Sequence, residues 1–223
     1  LTNASTLTPT YTPTALDAGN IVTLTLTVDG GGSCADAVDT KALTITAAPT
    51  ADAGAPTGET CGVTPFVVSG ASATNGTIAW TENGNGTITA GATTLTPTYT
   101  PSALDAGTIV TLTMTVDGGG SCADAIDTKA LTVSATPTAD AGATTAETCK
   151  NTAFTVTDAS STNGPIAWTE KGGGSLINAN TLSPTYTPVA ADAGNVVILT
   201  LTVTNGSCTN AVDTKSLTVS DTP

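Results

Sequence analysis

Five cysteines and three lysines recur at fixed places in this chain, and they are the residues best suited to covalent or ionic chemistry. Cys34, Cys122 and Cys208 each close a Gly-rich run, as in Gly120-Ser-Cys122, whereas Cys61 and Cys149 each follow Glu-Thr. Lys41, Lys129 and Lys215 each end an Asp-Thr-Lys triplet. No histidine occurs anywhere, so a serine or cysteine nucleophile lacks its usual base. The cysteines have neither CxxC spacing nor a histidine beside them, which argues against zinc. The carboxylate pairs Asp36/Asp39 and Asp124/Asp127 read as solvated turn residues, not as a hydrolytic pair. On these residues the chain is not an enzyme.

What positions the recurring residues is an internal repeat. Leu-Thr-Pro-Thr-Tyr-Thr-Pro begins at Leu7 and Leu95, and Leu-Ser-Pro-Thr-Tyr-Thr-Pro begins at Leu182, giving spacings of 88 and 87. Leu7–Ile45 and Leu95–Val133 are identical at 34 of 39 positions. The third copy loses one residue within the Gly-rich hairpin that precedes Cys208, where a sandwich tolerates a change in length. A period this long exceeds helical solenoid repeats and suits one small sandwich per unit.

Unit boundaries are expected at Ala47–Gly54 and Ala135–Gly142, each carrying a proline that stops strand pairing. Residues 1–46 then form the C-terminal half of one unit, and 47–134 and 135–223 form two complete ones. Short Pro-bearing linkers should align consecutive units semi-rigidly.

Within a unit, Ile109–Val116 alternates Val110, Leu112, Met114 and Val116 with threonines, the period of a half-buried strand. Asp117 and the glycines after it predict a hairpin into Ala125–Val133. Shorter strands are expected at Phe66–Ser69, Ile78–Trp80, Thr87–Thr89 and Leu95–Thr100, with Asn75-Gly76 as a turn. About seven short strands with turns roughly every ten residues make an immunoglobulin-like sandwich. Trp80 and Trp168 fall where such domains carry a core tryptophan. Leu16–Gly19, Leu104–Gly107 and Ala191–Gly194 resemble the Asp-x-Gly corner, although the usual corner tyrosine is absent.

Composition limits the partners. A net charge of −13 and the absence of arginine argue against nucleic acid and against an anionic membrane surface. No apolar run is long enough to span a bilayer. The Thr-rich, Lys-poor composition is that of long secreted surface proteins.

Ala51-Asp-Ala-Gly54, Glu59-Thr-Cys61, Ile78-Ala-Trp80, Leu95-Thr-Pro-Thr-Tyr-Thr-Pro101, Thr111-Leu-Thr-Met-Thr115 and Gly120-Ser-Cys122 occur in that order. In this succession the whole chain resembles the PKD-like or Ig-like repeats of giant surface adhesins in gliding and other Bacteroidota-type bacteria. The resemblance implies an all-β rod of tandem sandwiches, displayed outside the cell, with no catalytic residues.

With one cysteine of each class per complete unit, disulfides are expected in an oxidising compartment. Two connectivities stay open. Pairing within a unit would join Cys61 to Cys122 and Cys149 to Cys208. Immunoglobulin topology instead separates those positions by roughly a strand length, about 20 Å, against the roughly 7 Å between Cα atoms that a disulfide allows. It brings Cys61 and Cys208 together across a unit boundary. Cys34 lacks a partner class in its own half-unit.

Calcium is the one cofactor these residues suggest. Asp52, Asp105, Asp124 and Asp140 lie in carbonyl-rich loops that offer the oxygen ligands calcium takes, with turn capping as the competing reading. Lys41, Lys129 and Lys215 are expected in plain Asp–Lys surface pairs. The alternative, known among Ig-like adhesins, is an isopeptide bond beside a glutamate such as Glu82. Asn3, Asn75, Asn85 and Asn205 match the glycosylation acceptor pattern.

The expected function is a stiff spacer or stalk in a surface adhesin or extracellular fibre. Its partners are neighbouring repeats, other copies in a fibre, and an external surface or polysaccharide. The alternative readings are repeats that themselves bind polysaccharide, and a filament in which a neighbouring chain completes residues 1–46.

Overall fold

Alternation of apolar residues with threonine builds the longest strands, because β-branched threonine suits a pleated, solvated face while its neighbours turn inward. The computed structural model describes residues 1–120 and 122–221. Ser121 of the second hairpin, and Thr222 and Pro223 at the end of the third expected unit, lie outside the described residues. Strands β1 (Ile21–Val28) and β2 (Ala37–Thr44) form a two-stranded antiparallel sheet. Nine strands follow: β3 (Thr50–Asp52), β4 (Thr57–Cys61), β5 (Phe66–Val67), β6 (Ser72–Thr74), β7 (Thr77–Glu82), β8 (Thr87–Ala90), β9 (Thr98–Thr100), β10 (Thr108–Asp117) and β11 (Ala125–Ser134).

These nine strands stack as two layers. One sheet has the order β4-β11-β10-β7, with β4 parallel to β11 and the other pairs antiparallel. Opposite it lie the pairs β3-β6 and the ladder β5-β9-β8. Val110, Leu112, Met114 and Val116 are buried between the layers with Trp80, Tyr99, Leu131 and Val133. Each such aliphatic side chain contributes about 1.5–3 kcal/mol by leaving water. The intervening threonines of β10 stay half-buried on the outer side.

The pattern then repeats as β12 (Thr138–Asp140), β13 (Thr145–Cys149), β14 (Phe154–Thr155), β15 (Ser160–Thr162), β16 (Ile166–Glu170), β17 (Ser175–Ile177), β18 (Thr185–Thr187), β19 (Val196–Val203) and β20 (Ala211–Ser220). Its sheet β13-β20-β19-β16 again opposes β12-β15 and β14-β18-β17 around a separate core that includes Trp168, Tyr186 and Leu199. Among the described residues no helix is long and apolar enough to cross a membrane.

Two strands of the sandwich differ from the sequence expectation. Thr50–Asp52, expected within a linker, is a strand that pairs with Ser72–Thr74. Three residues are too few to show a period. The strand expected over Leu95–Thr100 is confined to Thr98–Thr100, and Leu95 is exposed. Pro97 explains the late start, because it has no N–H for the ladder. Both tryptophans sit on the predicted strands and donate their indole N–H to carbonyls, Trp80 to Thr94 at 2.9 Å and Trp168 to Thr181 at 3.1 Å.

Candidate functional site at the unit junction

Three sets of recurring polar residues lie in the fold: a disulfide across the junction, a clamp on each incoming chain, and a buried tyrosine–aspartate corner. The junction follows from topology. Because β4 runs parallel to β11, Cys61 at the end of β4 lies beside Ser134 at the end of β11. The β19–β20 hairpin of the next unit comes back to the same place. Cys61 and Cys208 form a disulfide with Cα atoms 4.9 Å apart and a sequence separation of 147 residues. This is the pairing across the boundary. Pairing of Cys61 with Cys122 and of Cys149 with Cys208 within units is not what the fold contains, and Cys34, Cys122 and Cys149 carry free thiols.

The hairpin lies close on the linker around the disulfide. Cys208 Sγ is 3.6 Å from the carbonyl oxygens of Ser134 and Ala135. Asn205 Nδ2 donates to Ala135 O at 2.7 Å and Asn163 Nδ2 to Thr136 O at 2.8 Å. A side chain at Gly206 would place its Cβ 2.4 Å from Ser134 Oγ, at a φ of +48°. The left-handed φ favours glycine there, and a side chain would also push the Ser134 hydroxyl aside. At the preceding junction Cys122 Sγ holds the equivalent place, 3.8 Å from Thr46 O and 4.0 Å from Ala47 O. There Asn75 Nδ2 donates to Ala48 O at 2.9 Å. Asn75 and Asn205, two of the acceptor-pattern asparagines, therefore already use their amides on linker carbonyls.

The Asp-Thr-Lys triplets form the clamp. Alternation along β11 turns Asp127 and Lys129 to one face, and both reach the backbone just after the linker. Ala53 N donates to Asp127 Oδ2 at 2.7 Å, and Lys129 Nζ donates to Ala55 O. That backbone hydrogen bond holds the Asp127 carboxyl below its ordinary pKa. The third unit repeats the arrangement: Ala141 N donates to Asp213 Oδ2 at 2.7 Å and Lys215 Nζ to Ala143 O at 2.6 Å. Lys129 and Lys215 are buried, at 2% and 1% exposure. The expected surface Asp–Lys pairs are thus corrected to interior anchors, since the inward face of β11 and β20 carries these lysines between core residues.

Lys215 has a second partner, the Asp158 carboxylate at 3.2 Å, at a position where the middle unit has Gly70. Glu82 lies across Leu112 from Lys129 in the sheet register, and its Oε2 has no hydrogen-bond partner among the described residues. Lys129 Nζ meets a backbone carbonyl instead of an Asp or Asn side chain, as an isopeptide bond would require. Lys41 is exposed on the open face of β1–β2.

The corner does have its tyrosine, supplied from β9, six residues ahead of the aspartate. Tyr99 Oη donates to Asp105 Oδ2 at 2.9 Å, and Gly86 N donates to Tyr99 Oη at 3.0 Å. Asn85 N and Ser102 N also donate to the Asp105 carboxylate, at 2.7 and 2.8 Å. Burial by itself would raise the Asp105 pKa. These hydrogen bonds outweigh it and bring the value to about 2. Burial first, and the adjacent Asp105 next, push Tyr99 up to about 12. Tyr186 and Asp192 repeat the pair at 2.8 Å, and Tyr11 and Asp17 at 2.7 Å. The six-residue Tyr–Asp spacing, present in all three copies, is the signal that could have revealed this corner.

The four candidate calcium aspartates are dispersed. Asp105 is in the corner, Asp52 and Asp140 accept the N–H groups of Gly54 and Gly142 at 2.8 Å, and Asp124 lies in the second hairpin. Among the described residues no three metal-ligating side chains converge.

Two layered sheets with this strand order, repeated in tandem, define immunoglobulin-like domains. The titin I-band fragment I67–I69 superposes with a TM-score of 0.53 at 11% identity, over 92% of this chain and 76% of that one. Drosophila OTK extracellular domains 3–5 give 0.53 at 11% identity, over 85% of this chain and 67% of theirs. Sidekick-1 immunoglobulin domains 1–4 give 0.50 at 12% identity over 83% of this chain, which spans 55% of that fragment. No protein-family model and no curated protein matches the sequence. The likeness establishes the fold, an all-β tandem array of Ig-like sandwiches.

Proposed function

We propose that this chain is a spacer segment of a secreted surface adhesin or extracellular fibre, of the PKD-like or Ig-like kind displayed on Bacteroidota-type bacteria. The observation that carries this reading is the Cys61–Cys208 bridge between successive units. A disulfide persists in an oxidising compartment, which supports a location outside the cytosol. A covalent link between units limits bending where a Pro-bearing linker alone leaves freedom. The recurrent polar side chains hold backbone and linker in place, as a scaffold requires. A net charge of −13 keeps such arrays apart in solution.

The test is NMR relaxation on the chain and on the double variant C61S/C208S. The two complete units should tumble as one body in the bridged chain and more independently in the variant. Equal inter-unit mobility in both would contradict the spacer reading. Binding of the bridged chain to a glycan array at millimolar or tighter affinity would instead favour repeats that grip polysaccharide themselves.

A further inference from the structure

Five Asn-Gly steps occur in the chain, at Asn75, Asn83, Asn85, Asn163 and Asn205. In such a step the backbone nitrogen of the glycine can attack the carboxamide before it, because no Cβ hinders the approach. Four of the five are restrained by the fold. Asn75, Asn163 and Asn205 donate their side-chain amides to the carbonyl oxygens of Ala48, Thr136 and Ala135. Gly86 N–H, the attacking group for Asn85, is held by Tyr99 Oη at 3.0 Å.

Asn83 is placed differently. It is exposed, and its Oδ1 accepts Thr111 N–H at 2.7 Å, so a backbone donor already points at the carboxamide oxygen. Gly84 N–H has no hydrogen-bond partner among the described residues. In the same loop Glu82 Oε2 is closed off from solvent and equally unpaired. A buried oxygen left without a partner calls for an explanation. The third unit shows what this carboxylate reaches. Glu170, at the position of Glu82, accepts the N–H of Gly172, at the position of Gly84. Lys171 stands there in place of Asn83, so the third unit has the carboxylate and the N–H but no carboxamide between them.

We propose that Asn83-Gly84 is a self-modifying site, at which the fold converts the asparagine to aspartate and isoaspartate through a cyclic imide. Glu82 acts as general base, turning onto Gly84 N–H as Glu170 does onto Gly172. The Gly84 nitrogen bonds to Asn83 Cγ as its proton passes to the Glu82 carboxylate. The carbonyl electron pair moves onto Oδ1, where Thr111 N–H stabilises the developing charge. When this oxyanion collapses, the bond from Cγ to Nδ2 breaks and ammonia leaves with the proton that Glu82 returns. Water then opens the imide at either carbonyl, giving aspartate or isoaspartate. Water is the only co-reactant, and nothing is oxidised. The isoaspartate product lengthens the main chain by one methylene just before Gly84, where the loop lies against Tyr99 and Asp105.

The test incubates the whole chain, its Cys61–Cys208 bridge intact, at neutral pH and follows each Asn-Gly step by peptide mapping and mass spectrometry. Asn83 should convert at least roughly tenfold faster than each of the other four, a modest share of what a general base supplies. Glu82→Gln keeps the shape of the side chain and removes the base. It should slow Asn83 by about tenfold or more and leave Asn205 unchanged. Equal rates at all five steps overturn the proposal, and so does a Glu82→Gln chain that converts Asn83 as fast as the parent. A comparison free of any substitution stays decisive if that variant fails to fold. In urea the unsubstituted chain should lose the advantage of Asn83 over the other four steps. An advantage that persists in urea would mean that local sequence alone drives the conversion, and overturns the proposal.

Discussion

Tyr99 and Asp105 form a buried pair, hydroxyl to carboxylate at 2.9 Å, that joins β9 to the turn leading into β10. The hydroxyl also receives Gly86 N–H, so one atom ties three segments of the sandwich. The loop around Gly84 closes tightly over it: a Cβ at Gly84 would lie 2.3 Å from Tyr99 Oη. Tyr99→Phe leaves the ring packing intact and orphans Gly86 N–H. It should cost about 1–3 kcal/mol, the penalty for an unsatisfied buried donor, read from urea unfolding. Tyr186→Phe should cost a similar amount.

The corner also sets the acid limit. Asp105 titrates near 3.8 when unfolded and near 2 when folded. Between these values the unfolded chain takes up the proton and the folded chain does not. The stabilisation is therefore complete above the unfolded pKa and is lost as pH falls through the folded one. Urea midpoints should decline from about pH 5 to about pH 2, and Asp105→Asn should flatten that decline.

At the alkaline end the sign reverses. Tyr99 and Tyr186 are raised from 10.0 to about 12. Below the unfolded pKa both states keep the proton and stability is complete. As pH rises toward the folded value only the unfolded state ionises, and stability falls. Phenolate absorbance for these two residues should appear together with loss of structure, while the more exposed Tyr11 ionises separately.

Much of this architecture could be read from residue patterns. The 88-residue spacing and the alternation in Ile109–Val116 marked repeats and core strands. Asn75 indeed takes a positive φ, of 59°, at its predicted turn. Strands of two or three residues, such as Phe66–Val67 and Thr50–Asp52, were not legible in full because no period develops over that length. The clamp escaped because Lys129 reads as a surface residue by type, and its partners are backbone atoms that carry no sequence signature. The two cysteine classes, one of each per complete unit, leave two connectivities, and immunoglobulin topology favours the one across the boundary. The parallel placement of β4 beside β11 then sets Cys61 at the junction, where Cys208 meets it.

The buried lysine gives a further test. Lys129→Met keeps the volume and stem while leaving Ala55 O without its donor, and should cost about 1 kcal/mol. Lys129→Ala adds a cavity beside Leu112 and should cost about 2–5 kcal/mol, as other long core side chains do. Equal effects from both variants would mean that the amine, and not the packed stem, supplies the stability.

Gly206 tests the fit of hairpin to linker. Ala at this position meets Ser134 Oγ and also takes a positive φ unfavourable to L side chains. Gly206→Ala should loosen the junction, read as faster amide exchange at Ala135 and Cys208, with exchange in β7 and β10 unchanged.

The most direct test of units linked in series is non-reducing peptide mapping of the whole chain by mass spectrometry. The account predicts a peptide joining Cys61 to Cys208, with Cys34, Cys122 and Cys149 open to alkylation. Peptides joining Cys61 to Cys122 and Cys149 to Cys208 would contradict it, because the units would then be locked separately and no covalent link would cross the junction.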